Sequence, residues 1–275
     1  MAVIGTGAFG CSILFDVGAL SDGGGASPTS DDGGGDAPGG ACPEGKGPEM
    51  IRVGNDAGGD AAISFCVDTT EVTITQYRRF LEETKGDAGK QPRECAFNTS
   101  YEPLTEDGGE PPSAHADSPV VYVDWCDAYM YCTWAGKRLC GRVNGGSAYH
   151  GAPGDPRESQ WTFACSRNGA RPYPYGMGFD TSLCNDGNGG DPHLAPVKQF
   201  KGCEGGFTGL FDMSGNVAEW EDACKDADQC PTRGGSYYIG RDPDRDVFSC
   251  YVSFFSFDFT RQHRGRAVGF RCCGP

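Results

Sequence analysis

The sequence predicts an α+β domain with little regular secondary structure that is held together by disulfides. Three short segments carry helix signals, and brief strand candidates alternate with loops rich in Gly and Pro. The chain has 275 residues, with 15 Cys, 44 Gly and 18 Pro. No C-x2-C pair occurs and the four His are scattered along the chain. A disulfide framework in an oxidising compartment therefore explains the cysteines better than metal sites do.

The charge balance excludes one class of partner. A formal net charge of −15 argues against nucleic acid, whose phosphate backbone would be repelled. The same acidity is compatible with calcium, which prefers hard oxygen ligands, and it also keeps an exported protein in solution. No stretch is long and apolar enough to span a bilayer.

The first 46 residues differ in composition from the rest. Residues 1–20 are apolar, and "AFGC" resembles a bacterial lipobox in a truncated signal segment, which would make Cys11 a lipidated N-terminus. Either the true start lies upstream, or Cys11 is incidental; setting it aside leaves 14 cysteines. Residues 21–46 are rich in Gly, Ser and Asp and predict a flexible tether, followed by one folded domain over 47–275. We expect an extracytoplasmic protein, secreted or lipid-anchored at a bacterial cell surface.

The first helix follows a strand candidate. "ISFCVDTTEVT" has strand composition, and Thr73 with Gln76 then forms a T-x-x-Q capping box. The apolar residues after it repeat at helical spacing: Ile74, Tyr77, Phe80 and Leu81.

The second helix has a clear start and stop. Asp124 is its predicted N-cap, and Gly136 supplies the left-handed residue that ends it. Its buried face would consist of Trp125, Ala128, Tyr129 and Cys132.

A third helix is predicted from "DPRESQW". Asp155 would be the cap, with Pro156 in the first turn and Glu158 at the reciprocal position. Its buried face would be Trp161, Ala164 and Cys165. The strand candidates beyond it are "RGGSYY", "SCYVSFFSF" and "AVGFRC".

Four segments in this order resemble a known family: "FCVDTTEVTITQYRRFL", "SPVVYVDWCDAYMYCTWAGKRL", "GLFDMSGNVAEWEDAC" and "RGGSYY…GFRCC". The chain resembles the formylglycine-generating enzyme family, also called the sulfatase-modifying factor domain, over about 47–273. The resemblance implies a fold similar to that of C-type lectins, in agreement with the α+β prediction made from the residues.

The resemblance also implies disulfides. Two pairs carried over from the family are Cys132–Cys272 and Cys165–Cys250. Since Cys272 is then tied to Cys132, we expect its neighbour Cys273 to pair with Cys140, unless Cys140 pairs elsewhere. Four further pairs are expected from the proximity of their cysteines: Cys42–Cys66, Cys95–Cys126, Cys184–Cys203 and Cys224–Cys230.

Two calcium sites are implied by the same resemblance. The first would use the Asp212 and Glu219 carboxylates with the Gly215 and Val217 carbonyls; the alternative is a turn whose acids only cap backbone amides. The second, less complete set is Asn185, Asp186 and Asp191. Carboxylate and carbonyl oxygens are the ligands that calcium prefers.

The family's catalytic centre does not carry over. The enzyme oxidises a substrate cysteine with copper and dioxygen, and its copper lies between two thiolates. Ile239 and Asp244 stand at those positions here, and Ala218 replaces a family tryptophan. Neither side chain offers the soft ligand that Cu(I) prefers, so copper is not expected and no catalytic residue is assigned.

What remains is a groove that takes an extended peptide in the family. Here it would be bordered by Ser236, Tyr237, Tyr238, Arg241 and Arg245. Tyr and Arg are frequent in binding hot spots. The alternative is that Tyr237 and Tyr238 alternate along a strand, one buried and one exposed.

The sequence therefore favours a catalytically divergent, calcium-stabilised module that binds a peptide or glycan. One alternative is an oxidoreductase of the formylglycine-generating type, which oxidises a protein cysteine at an altered metal centre. Another is a structural surface protein without a ligand. Whether the chain is an enzyme stays open at this point.

Overall fold

Short strands from both ends of the chain meet in one sheet. A computed structural model describes residues 41–55, 63–105, 107–109, 114–152, 154–188, 192–225, 229–239, 246–252 and 259–275. Its helices are α1 (Ile74–Thr84), α2 (Trp125–Trp134) and α3 (Gln160–Ser166). Its strands are β1 (Met50–Gly54), β2 (Ser64–Asp68), β3 (Arg138–Leu139), β4 (Ala218–Trp220), β5 (Thr232–Arg233), β6 (Val268–Gly269) and β7 (Cys272–Cys273).

The strands form two small sheets. The first has the order β1-β2-β7-β3 and is antiparallel, so the C-terminal strand lies between β2 and β3. The second has the order β5-β4-β6, in which β4 pairs antiparallel with β5 and parallel with β6. Most of the remaining described residues lie in turns and loops, as the α+β prediction expects.

The first two helices begin where the sequence predicts. Thr73 and Gln76 form the reciprocal capping box of α1, and Asp124 caps α2 with Asp127 as its reciprocal partner. Gly136 follows α2 with φ 72°, a conformation that glycine adopts without strain. Tyr77 and Phe80 of α1 are buried in the same core as α2.

The third helix starts later than predicted. Its N-cap is Ser159, whose hydroxyl accepts a hydrogen bond from the amide of Thr162, and not Asp155. Asp155 instead closes a preceding turn through the amide of Arg157. The Ser159 hydroxyl also donates to the buried carboxylate of Glu221. The contact between Ser159 and Glu221 helps to fix the start of the helix. It joins residues far apart in the sequence, so the local sequence does not predict it.

Two cores lie on opposite faces of the first sheet. Because successive strand residues point to opposite faces, the adjacent cysteines of β7 enter different cores. Cys272 packs with α1 and α2, whereas Cys273 packs with α3 and β2. In the first core, the Tyr77 and Tyr131 rings stack at 5.6 Å, and Phe270 contacts both edge-on.

Seven disulfides connect the described cysteines, and they are the seven pairs that the sequence analysis expects. They are Cys42–Cys66, Cys95–Cys126, Cys132–Cys272, Cys140–Cys273, Cys165–Cys250, Cys184–Cys203 and Cys224–Cys230. The two that reach β7 close separations of 140 and 133 residues. They therefore attach the end of the chain to both cores.

The folded contacts begin before residue 47. Within the segment expected to be a tether, Cys42 is bonded to β2, the Gly45 carbonyl accepts from Arg79, and Lys46 pairs with Glu83 at 3.0 Å. The Lys46 ammonium also lies 4.2 Å from the centre of the Trp134 ring. The end of the predicted tether is thus part of the domain, whereas residues 1–40, including Cys11, lie outside the described residues.

One strand candidate is a turn. β5 overlaps "RGGSYY" only at Arg233. Residues 237–239 form a turn in which the Ile239 amide donates to the Ser236 carbonyl. Gly234 and Gly235 both have positive φ, which ends the strand before the tyrosines. Among the described residues, no helix is long and apolar enough to cross a membrane.

Removing the Cys140–Cys273 disulfide should cost more stability than removing Cys224–Cys230. In the chain-entropy model a loop closed over 133 residues contributes about 5 kcal/mol, and one closed over six contributes about 2 kcal/mol. We expect the Cys140→Ala/Cys273→Ala variant to unfold at a much lower urea concentration than Cys224→Ala/Cys230→Ala, measured by circular dichroism. Equal midpoints would contradict this order.

Candidate functional site

The loop before β4 turns sharply around three residues with positive φ. These are Asp212 (59°), Gly215 (80°) and Asn216 (57°). A Cβ at Gly215 would lie 2.4 Å from the Asn185 carbonyl oxygen, so only glycine fits there. The Asn216 amide donates to the same carbonyl. The close approach of these two loops brings Asp212 near Glu219 on β4.

Glu219 and Arg271 form a buried ion pair at the centre of the domain. The guanidinium donates to both carboxylate oxygens at 2.7 Å, and Trp161 donates its indole N–H to Glu219 Oε2 at 2.9 Å. Arg271 also donates to the carbonyls of Asp68 and Phe211. Both side chains are at most 1% exposed. The pair is fully hydrogen-bonded, as buried charges have to be.

Two further carboxyl groups crowd the same guanidinium. Burial, followed by repulsion from Asp212, raises the pKa of Glu71 well above its usual range. Burial also raises the pKa of Asp212 to about 6, although its Oδ2 accepts the Lys198 amide at 2.7 Å. Glu71 Oε1 accepts from the Asn216 side chain, whereas Oε2 has no hydrogen-bond partner among the described residues. Three carboxyls thus face one arginine.

Of the four residues expected to hold calcium, Glu219 is already engaged by other side chains. Both Glu219 oxygens are taken by Arg271 and Trp161, so this carboxylate points to the guanidinium. Within the described parts of the chain, no group of three or more Asp, Glu, His or Cys side chains has metal-binding geometry. Glu219 does not fit the role of a ligand in this arrangement, and calcium binding stays a prediction.

The second expected set is incomplete. The Asn185 side-chain Nδ2 donates to the His193 carbonyl and to Asn216 Oδ1. The Asp186 carboxylate accepts the backbone amide and the side-chain Nδ2 of Asn188. Asp191 lies outside the described residues. The described contacts therefore connect Asn185 to the Asp212–Val217 loop.

The groove residues lie in the turn after β5. Ser236 is buried, and its hydroxyl has no hydrogen-bond partner among the described residues. The Tyr237 amide donates to the Asn216 carbonyl, and its hydroxyl donates to the Arg266 carbonyl. Tyr238 is 57% exposed, and the Arg266 guanidinium lies 4.8 Å from its ring centre. Burial raises the pKa of the half-buried Tyr237 hydroxyl.

The turn thus presents a buried hydroxyl, a half-buried tyrosine and an exposed tyrosine beside an arginine. Arg241 and Arg245, expected on the same border, lie outside the described residues. Arg266 instead lies beside Tyr238. The sequence did not predict this, because Arg266 lies 30 residues from Ser236 in a segment without periodicity.

The first copper position is filled by a packed aliphatic side chain. Ile239 lies against a small cluster of Tyr173, Val247 and Phe248, and Asp244 lies outside the described residues. All 14 described cysteines are in disulfides, so none of them offers a thiolate. The donor set found in the described residues does not fit Cu(I).

Sequence reasoning also missed the charged residues that surround Glu219. Glu71 and Arg271 lie in segments that carry the family resemblance. An isolated charged residue in an apolar segment does not indicate which distant group it will contact. Arg271 comes from the C-terminal segment and Glu71 from the segment before α1, and only the fold brings them together.

The chain matches a known domain family over most of its length. Residues 55–274 match the sulfatase-modifying factor enzyme 1-like domain. The chain is 33% identical over 180 residues to an inactive C-alpha-formylglycine-generating enzyme 2 from Bos taurus, covering 56% of this chain and 49% of that protein. It is 32% identical over 120 residues to a formylglycine-generating enzyme from Mus musculus, covering 38% and 27%. The match thus spans about half or less of these relatives.

A solved structure supports the same fold. PvdO from Pseudomonas aeruginosa aligns with a TM-score of 0.55 at 18% identity, covering 82% of this chain and 94% of that one. At this identity the likeness concerns the fold alone. The seven disulfides, together with these relatives, indicate an oxidising compartment outside the cytosol.

Breaking the buried ion pair should destabilise the domain strongly. Arg271→Met leaves Glu219 charged and unpaired in the core, which costs about 3–5 kcal/mol of unfolding free energy. Urea denaturation would measure this, with Arg79→Met, on the exposed Arg79–Glu83 pair, as a control that changes little. Adding Glu219→Gln to Arg271→Met should restore part of the loss. An Arg271→Met variant as stable as the control would contradict a central role for the pair.

Proposed function

Because the chain belongs to the sulfatase-modifying factor (formylglycine-generating enzyme) family, we propose that it is a non-catalytic member that binds an extended peptide beside Ser236. The observation that carries the proposal is the state of the cysteines. Every described cysteine is in a disulfide, and Ile239 fills one copper position with carbon. Aliphatic carbon has no lone pair for Cu(I). A relative of the same family that carries the name "inactive" supports this choice.

The groove keeps the features that binding needs. Tyr237 is fixed by hydrogen bonds at both ends, through its amide to Asn216 and through its hydroxyl to Arg266. Gly187 allows the Tyr237 carbonyl to approach, since a Cβ there would lie 2.1 Å from that oxygen. A rigid tyrosine, an exposed tyrosine and an arginine bury much area at low entropic cost. These residues support recognition of a peptide, which requires no catalytic step.

Peptide binding can be tested with a displayed random peptide library and fluorescence polarisation of the selected peptide. Tyr238→Ala should weaken binding about tenfold, because it removes the exposed ring and its contact with Arg266. Tyr149→Ala, which changes an exposed tyrosine outside the groove, is the matched control and should leave the affinity unchanged. If no peptide is selected, or if Tyr238→Ala binds as tightly as the original chain, the proposal fails.

The absence of copper chemistry follows from the same residues. The purified protein should show no tight Cu(I) binding in competition with a chelator, and no oxygen consumption with a C-x-P-x-R peptide. Restoring thiols with Ile239→Cys and Asp244→Cys provides the positive comparison for metal binding. Stoichiometric Cu(I) binding by the unmodified chain would return the oxidoreductase alternative to first place.

We also propose that calcium stabilises the Asp212–Val217 loop. Three carboxyls around one arginine leave excess negative charge, and Glu71 Oε2 lacks a partner among the described residues. A cation or a proton can offset this charge. Calcium would be held by Asp212 and the loop carbonyls, while Glu219 would stay paired with Arg271.

Chelation of calcium should therefore lower the melting temperature. A cation that binds only the native state contributes about 2.7 kcal/mol at a hundredfold excess over its dissociation constant. Asp212→Asn should abolish the calcium response in differential scanning fluorimetry. Asp222→Asn, another largely buried carboxyl outside the loop, should retain it. Identical melting curves with calcium and with chelator would show that protons alone offset the charge.

Localisation at a bacterial cell surface remains part of the proposal. The disulfides support export from the cytosol. Lipidation of Cys11 rests on the "AFGC" segment alone.

A further inference from the structure

A cavity lies between two loops outside the turn at Ser236. Its volume is about 610 Å³, within the range of small-ligand sites. One wall comes from the connection between β3 and α3, and the other from Cys224 and Lys225. The polar and aromatic side chains that line it are Arg142, Ser147, Tyr149, His150, Glu158 and Lys225.

The walls of this cavity are held in place by short hydrogen bonds. The Ala148 amide donates to the Asp222 carbonyl at 2.7 Å, and the Ser147 hydroxyl donates to the Asp222 carboxylate at 2.7 Å. The Arg142 amide donates to Gly146, closing a turn. The Lys225 and Gln229 backbones pair with each other beside the disulfide. A site built on such walls loses little entropy when a ligand binds.

The polar groups of the cavity include both donors and acceptors. Arg142 and Glu158 form an ion pair with an N–O distance of 3.2 Å, which holds a planar donor group beside a planar acceptor. The Lys225 ammonium is a further donor among the lining residues. Sugar hydroxyls both donate and accept, so neighbouring hydroxyls can bond to such a pair. A simple anion would instead meet Glu158 as a repulsive group.

An exposed aromatic ring stands at the cavity. Tyr149 is 67% exposed, although a tyrosine gains stability when its ring is covered. Its side chain lies against the backbone of Gly151, where a Cβ would be 2.8 Å from two ring carbons and from the hydroxyl oxygen. Glycine at this position thus lets the backbone support one face of the ring. The arrangement presents a fixed aromatic surface next to hydrogen-bonding groups.

From the cavity, its fixed walls, its mixed donors and acceptors and the supported ring, we propose that this site binds a saccharide. The Tyr149 ring covers the C–H face of one sugar ring, whereas Arg142, Glu158 and Ser147 bond to its hydroxyls. Lys225 reaches a further oxygen substituent. The site is separate from the peptide groove, because none of these residues belongs to the turn at Ser236.

Isothermal titration of the full chain with a panel of neutral and uronate-containing disaccharides tests the proposal. At least one disaccharide should bind saturably, and Tyr149→Ala should weaken it about fivefold or more. Arg142→Gln should weaken it as well, because the donor of the ion pair is lost. Both positions are exposed, so these variants should fold, which circular dichroism would verify.

The matched control is Tyr238→Ala, the same change at the exposed tyrosine of the peptide groove. It should leave saccharide binding unchanged while weakening the peptide, whereas Tyr149→Ala should do the reverse. Saccharide binding by the original chain that survives both Tyr149→Ala and Arg142→Gln would overturn the assignment. So would the absence of binding across the panel, or equal binding of acetate. None of these outcomes decides whether the groove binds a peptide.

Discussion

The ion pair between Glu219 and Arg271 is the interaction on which the rest of the fold depends. Glu219 lies on β4 in the second sheet, and Arg271 immediately precedes β7 in the first. The guanidinium also holds the Asp68 and Phe211 carbonyls, and Trp161 of α3 completes the carboxylate's hydrogen bonds. The buried ion pair thus contacts both sheets, one helix and one loop. Because a buried charge without a partner is costly, none of these elements can move independently.

The disulfides of β7 act together with this pair. Arg271 is followed directly by the two cysteines of β7. Cys272 bonds to Cys132 of α2, and Cys273 bonds to Cys140, just after β3, on the opposite face of the sheet. Asp68 adds a second buried pair with Lys137 at 2.6 Å and accepts the Cys272 amide. With so few residues in regular strands, these polar contacts and cross-links supply the order that long strand ladders provide in other folds.

Sequence reasoning reached the features that are local and missed those that depend on distant partners. The caps of α1 and α2 follow from side chains within three residues, and the Gly136 stop follows from backbone preference. The start of α3 was wrong because Ser159 bonds to Glu221, 62 residues away. Ser236, Tyr237 and Tyr238 were named as groove residues, but their turn and Arg266 required the structure. Two cysteine pairs came from the resemblance, a third followed from one of them, and four were expected from proximity, because spacing alone does not fix connectivity.

The position of Ile239 shows how a member of this family can carry an aliphatic residue at an expected metal position and keep its fold. Ile239 packs on the small cluster of Tyr173, Val247 and Phe248, whereas the Glu219–Arg271 pair and the β7 disulfides belong to the two larger cores. A change at position 239 therefore leaves the interactions that stabilise the domain intact. The aliphatic side chain adds apolar contacts with this cluster. The two binding surfaces proposed at Tyr238 and at Tyr149 lie outside the two larger cores, so neither would require a metal site.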